Sequence, residues 1–325
     1  MSKLKSFRFK QSGALIENIL GGLYMIISKR LTVTVLGILL LIMLIATVSD
    51  QAISNALMNQ NDLFGTLFQN YGLFPPTLVL IISVIILNYY VFTTFNHRFA
   101  KIIILVITAV FTLIKTNALV SETVQYILST SNNIKHHKPM GMANNEGNVG
   151  TALPLGWSMF ISLIFLLIIA FVCYYFWLKN TNTAELTRLF KVSLISFIVL
   201  FIGLELVDNM KELWGRVRPY ELSDKGALFT NWLTINGNTG HSSFPSGHTG
   251  NGAFLMFLAF YFHKLRSRKI MFAIGLFYSV LMALSRIRIG AHFTSDVTMS
   301  LIIMFVLMVM ADFLIHKMTS NTDQQ

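Results

Sequence analysis

Charge is scarce in this chain. Only 12% of its 325 residues are Asp, Glu, Lys or Arg, against roughly 25% in a soluble domain, which excludes an ordinary water-facing surface. Acidic residues are the scarcer sign, 14 against 25 basic ones. No carboxylate cluster accompanies the polar motifs described below, which disfavours a two-metal mechanism. Cysteine is nearly absent: Cys173 stands alone in an apolar run, so no intrachain disulfide and no cysteine-based zinc site is spelled out. No repeat of fixed period is evident. Apolar residues make up 54% of the chain, with 27 Phe and 16 Met, and the mean hydropathy is +0.64. That composition is expected of an integral membrane protein.

A spanning helix needs about 20 mostly apolar residues. Eight stretches qualify: 32–49, 75–95, 100–120, 157–178, 190–209, 247–263, 270–285 and 295–316. The predicted fold is therefore all-α, a polytopic membrane helix bundle of about eight transmembrane helices. The sixth and seventh are the shortest in strictly apolar residues and need polar ones to complete a span. With the N-terminus inside, sixteen Lys and Arg fall in inner segments and eight in outer ones, with Lys115 inside the third span. The positive-inside rule is satisfied. Both termini are expected in the cytoplasm, with "HKLRSRK", 263–269, the clearest inner loop. The net charge of +11 is thus a topology signal, and nucleic acid is not an expected partner.

Two stretches read as interfacial. In "GALIENILGGLYMIIS", 13–28, apolar residues recur with a helical period between basic flanks, and no small-residue cleavage site marks a signal peptide. Residues 52–68 read as a helix on the outer leaflet. For both, a packed surface helix is the simpler alternative. Segment 121–156 reads as an outer loop, with Lys135, His136, His137 and Lys138 a solvated run.

Three polar clusters remain, all on the outer side: "KELWGRVRP" (211–219), "FPSGHTG" (244–250) and "SRIRIGAHFTSD" (285–296). Ionisable groups at membrane depth are costly and usually paired or functional, so their gathering suggests one shared pocket. Lys211 and Arg218 are seven apart and share a face if the fifth helix continues outward, with Pro219 limiting it. Arg286 adds a guanidinium whose fork matches phosphate oxygens. Ser246 and Gly247 precede a helix start, where backbone N–H groups and the dipole favour an anion. His292 and Asp296, four apart, suit a histidine whose tautomer and basicity are set by a carboxylate, as in an activated nucleophile. His248 then suits a proton donor to the leaving group. Gly290 allows the chain to break between Arg286 and His292. Taken singly, these residues read as snorkelling anchors, surface residues or helical pairs; together they converge on a site. Trp214, Arg216, Ser285 and Arg288 are read as packing, helix-end charge or support. Glu205 and Asp208 counter the basic cluster or mark the helix end, and His241 lies in a solvated loop, 236–243.

Lys211…Arg218-Pro219, Pro245-Ser246-Gly247-His248 and Ser285-Arg286…His292…Asp296, in that order, resemble the motifs of the type 2 phosphatidic acid phosphatase and haloperoxidase superfamily. The resemblance covers roughly 155 to 317. It implies a six-helix phosphatase core over 155–317, after an N-terminal transmembrane region, 1–154, and before a cytoplasmic tail, 318–325. Five core helices are assignable from 157 onward, and the sixth must come from the N-terminal spans. The resemblance further implies a metal-independent phosphatase with no cofactor. Lys211, Arg218, Ser246, Gly247 and Arg286 would bind phosphate, His292 would form a phosphohistidine, Asp296 would orient it, and His248 would be the general acid.

The expected function is hydrolysis of a membrane lipid phosphate at the extracytoplasmic face. The multi-span form without a targeting extension reads as bacterial. Undecaprenyl pyrophosphate is the first substrate to consider, then phosphatidylglycerophosphate and phosphatidate. A lipid phosphotransferase would begin with the same phosphohistidine. An anion transporter is the alternative of another class, but transporters hold their charges near the bilayer midplane. Vanadate is expected to inhibit the site rather than to support haloperoxidase chemistry.

Overall fold

The computed structural model describes residues 25–141, 153–223 and 227–320. Most of the 13–28 stretch, the centre of the 121–156 segment and the end of the C-terminal tail lie outside these residues. The described residues are helical: α1 (Lys29–Leu57), α2 (Leu63–Tyr71), α3 (Phe74–Thr94), α4 (Arg98–Lys135), α5 (Leu155–Phe176), α6 (Thr183–Trp214), α7 (Gly247–Ala253), α8 (Leu265–Arg288) and α9 (Thr294–Ser320). The fold is an all-α, polytopic helix bundle. Among the described residues, seven helical segments are long and apolar enough to cross a membrane. The chain is thus a multi-pass membrane protein.

The helices run past the apolar stretches at their ends, because hydropathy marks contact with lipid whereas backbone hydrogen bonding continues into water. The predicted span 247–263 departs from the others. It is a seven-residue α-helix, α7, followed by a 3-10 helix over Phe254–Tyr261. A 3-10 helix rises ~2.0 Å per residue and rarely runs so long. Here it packs along α8 and is buried almost throughout: Phe254, Phe257 and Phe260 are each no more than 1% exposed. Surrounded by protein rather than lipid, this stretch forms the centre of the bundle.

The segment from 121 is not a loop up to residue 135. It continues α4, whose 38 residues extend ~57 Å at 1.5 Å per residue, well beyond a ~30 Å hydrocarbon core. Buried Thr123, Ser129, Thr130 and Asn133 belong to this extension, and Asn70 of α2 donates to Thr130 Oγ1 at 3.3 Å. The 52–68 stretch is likewise divided. Its first half completes α1, and its second half begins α2, capped by Asp62 Oδ2 at 2.8 Å from Gly65 N. Because α2 packs on α8 and α4, with the Tyr278 hydroxyl donating to Gly72 O at 2.6 Å, it is a packed helix rather than one lying free on a leaflet.

The core runs between α6, α8, α9 and the 3-10 helix, with α3 lying along α6 and α1 along α9. Leu, Ile, Val and Phe side chains on α1, α4 and α5 stay exposed, among them Val48, Phe99, Ile107 and Phe171. In water that surface would be prohibitive; in a bilayer it is the contact with lipid. Alternation of the spans gathers the ends of α1, α4, α6 and α8 with the starts of α2, α5, α7 and α9. All three motifs lie at that end.

Candidate active site

The first motif leaves α6 sooner than the spacing suggested. α6 stops at Trp214, and Gly215 caps it with φ +48°. This is the left-handed region that favours glycine, and a Cβ there would fall 1.9 Å from Gly237 O. Lys211 and Arg218 therefore do not share a helical face. Lys211 is in the last turn of α6, paired with exposed Asp208 at 2.8 Å, while Arg218 follows in non-helical chain. Arg218 Nη1 donates to the Tyr220 hydroxyl at 3.1 Å and Nη2 to Ser242 Oγ at 3.3 Å. His241 is tied down beside it, with Nδ1 3.0 Å from Glu221 Oε2, rather than simply solvated.

The second motif opens α7. Ser246 does not present its side chain to a ligand: Oγ caps the helix and accepts from Thr249 Oγ1 at 3.0 Å. Its N–H donates to Asp296 O at 3.1 Å, and its carbonyl accepts from Ser300 Oγ at 2.8 Å. Ser246 thus has a positional role, holding α7 against α9. Gly247 matters for what it lacks, since a Cβ there would sit 2.7 Å from Lys211 Nζ. The missing side chain lets the lysine reach the start of α7. His248 follows, near Arg286, His292, Arg218 and Lys211. Its Nε2 is buried with no hydrogen-bond partner.

The third motif is the turn between α8 and α9. The chain reverses at Gly290, φ +72°. Arg286 is 1% exposed, and its Nε and Nη1 are buried without a partner. His292 is also buried, and its Nδ1 lies 2.7 Å from Ser243 O. A carbonyl can only accept, so Nδ1 carries the proton and Nε2 keeps its lone pair. Asp296 Oδ2 is 3.6 Å from Nδ1, beyond a good hydrogen bond. The direct orienting partner of His292 is thus the Ser243 carbonyl, because His292 precedes α9 and does not share its helical register with Asp296. Asp296 acts at one remove, accepting from Ser243 Oγ at 2.5 Å and Phe293 N at 2.8 Å. Burial pushes the His292 imidazole down to about 4; Asp296 pulls it upward, while Arg218 and Arg286 add to the depression.

Several contributors were not singled out from the sequence. Arg216, read as packing, helix-end charge or support, is fully buried and bonds Asp296 Oδ1 at 2.6 Å and Asp50 Oδ2 at 3.0 Å, a supporting role. Asp50 lies on α1, 166 positions away. Tyr126 of α4 sets its ring 6.2 Å from that of His248 and donates to Glu122 Oε1 at 2.6 Å. Arg288, by contrast, ties the turn to α2 through Asp62 at 3.0 Å.

Half-buried and buried cations therefore converge on two histidines, one with a free lone pair and the other with an unpartnered ring nitrogen. That arrangement can hold a phosphate and offers a nucleophile and a proton donor beside it. Neither curated proteins nor solved structures give a match to this chain. Residues 190–319, holding all three motifs, match the family model described as the PAP2 superfamily. That region is similar to the type 2 phosphatidic acid phosphatase superfamily, and the match supports a phosphatase-type activity on lipid-like phosphates.

Proposed function

We propose that the chain is a lipid-phosphate phosphatase of the cell membrane that cleaves a phosphomonoester or pyrophosphate headgroup at the extracytoplasmic face through a phosphohistidine. The observation that carries this reading is the pair of buried, unpartnered groups, Arg286 Nε and Nη1 with His248 Nε2. Buried guanidinium N–H groups left without acceptors are costly, and an anion seated there supplies the missing acceptors. Lys211 and Arg218 add charge from α6 and the chain beyond it.

In the reaction, His292 Nε2 attacks phosphorus while the bond to the leaving oxygen breaks. His248 gives that oxygen its proton. Water then attacks the phosphohistidine, losing its proton to His248, and phosphate departs with both histidines restored. The carboxylate of Asp296 favours the ring as it gains positive charge. No step draws on a metal or a cofactor. The basic residues at the opposite end of the bundle, Lys29, Arg30, Arg98, Lys101, Lys264 and Lys269, support a cytoplasmic placement for that end and for both termini. Residues 155–317 form the catalytic unit in this reading, with undecaprenyl pyrophosphate the first substrate to test, followed by phosphatidylglycerophosphate and phosphatidate.

The test is phosphate release by detergent-purified protein in EDTA from those three lipids, beside His292→Ala. Release that the substitution abolishes and vanadate inhibits is expected. Folded wild-type protein that releases nothing from any of them, or His292→Ala protein as active as wild type, overturns the proposal.

A further inference from the structure

We propose that Asp50, on α1 and outside the matched region 190–319, is a positioning residue for His292 that acts through Arg216 and Asp296. This inference rests on His292 being the nucleophile. The geometry is a relay of short contacts. Asp50 accepts from Ser295 N at 3.0 Å, from Ser295 Oγ, and from Arg216 Nη2 at 3.0 Å. Arg216 Nη1 donates to Asp296 Oδ1 at 2.6 Å and to Ser295 Oγ at 2.7 Å, and its Nε donates to Thr230 O at 2.9 Å. Asp296 then holds Ser243 Oγ at 2.5 Å, and the Ser243 carbonyl holds His292 at 2.7 Å. Asp50, Arg216, Ser295 and Asp296 are each no more than 1% exposed.

Charge arithmetic says what Asp50 contributes beyond anchoring. Asp296 and Arg216 alone would be a neutral pair, with the guanidinium cancelling the carboxylate that faces His292. With Asp50 on the other side of Arg216, the three groups together carry one net negative charge. That charge sits beside a ring that becomes cationic when Nε2 bonds phosphorus. In a buried, weakly screened setting such a charge acts strongly at this range. The other charges facing His292 are Asp296 from α9, Arg286 from α8, Arg218 beyond α6 and His248 from α7. Three of those four are cations or can become so, which leaves the Asp50–Arg216–Asp296 set as the counterweight. α1 is further locked to the site by Thr47, one turn from Asp50, which accepts from Asn231 Nδ2 and from Trp232 Nε1 at 3.0 Å.

The experiment uses the full chain in detergent with phosphatidate and undecaprenyl pyrophosphate as probes, and follows His292-dependent phosphate release against pH. Asp50→Asn is expected to lower kcat by about tenfold or more with KM nearly unchanged, the signature of an interaction made in the transition state. The acid limb of kcat/KM moves to lower pH, because the imidazolium loses a stabilising negative charge. Asp50→Glu keeps part of the rate. The double variant Asp50→Asn with Arg216→Gln restores the net charge on Asp296, and its acid limb returns towards the wild-type position. An anchoring role alone would lower the unfolding temperature and leave the limb where it was. The inference is overturned if Asp50→Asn keeps the wild-type kcat, or if its limb stays put. Should Asp50→Asn fail to fold, the double variant decides: a limb shifted as far from wild type as in Arg286 or Arg218 substitutions overturns the charge argument. Wild-type protein with no His292-dependent release would instead overturn the proposed function itself.

Discussion

The surroundings of Arg216 and Arg286 differ although both guanidiniums are buried at the same end of the bundle. Around Arg216, two carboxylates, a serine hydroxyl and a carbonyl take up donors from all three nitrogens, and Phe293 covers its face at 4.2 Å. Around Arg286, Nε and Nη1 meet nothing, although Tyr126, Tyr220, Glu122, Arg218 and His248 lie close enough to act on its charge. Burial alone cannot tell these sites apart. Satisfaction can: a saturated arginine holds the fold, whereas an unsatisfied one in the same environment is poised for a ligand. The same contrast separates Ser246, whose three polar groups are all engaged, from His248, whose Nε2 is not.

Breaking the comparison at Arg286 should have the largest effect on activity. Arg286→Ala is expected to lower kcat/KM by roughly 10²–10³-fold, the scale of losing one charge-stabilising donor. Thermal unfolding in detergent should stay level or rise, because an uncompensated buried charge has gone. A fall in unfolding temperature as large as the one expected next would mean that Arg286 is structural after all. Arg216→Met reverses the pattern. It leaves Asp50 and Asp296 buried without their shared cation and should cost about 3–5 kcal/mol of stability, read by denaturation, before any effect on rate is counted.

A smaller effect sharpens the comparison through pH. His292, pushed by burial from 6.5 to about 4, is neutral and nucleophilic at every pH above that. The acid limb of kcat/KM that reports His292 should therefore lie near pH 4, below the usual imidazole range. The unfolded chain, with its ordinary imidazole, takes up a proton between about 6.5 and 4 that the folded one refuses. The stability associated with this group is thus complete above 6.5 and lost as pH falls towards 4. An acid limb near 6.5 in a pH–rate profile would show that the ring is not buried as described.

How much of this could be read in advance varies by residue. Spans were legible because lipid demands long apolar runs, and three motifs were legible because phosphate chemistry demands particular side chains. Helix ends were not. α4 runs on through a polar stretch because that stretch packs on α2, and α6 stops at Gly215 because the chain must turn towards Gly237. Hydropathy records neither cause. The relation of His292 to Asp296 was read as a helical pair, but the helix begins two residues later, so a carbonyl from another loop takes the place assigned to the carboxylate. Arg216 looked like one more outer-face cation because both its acids lie far away in sequence.

By itself, the sequence determined that this chain crosses a membrane many times and gathers three polar motifs at one end, since transfer energies and side-chain chemistry depend on residue type. The tertiary structure alone decided which arginine is satisfied, which histidine nitrogen stays free, and that α1 reaches into the site through Asp50. Those outcomes depend on which groups meet once the helices pack, and a buried polar group is defined by its neighbours.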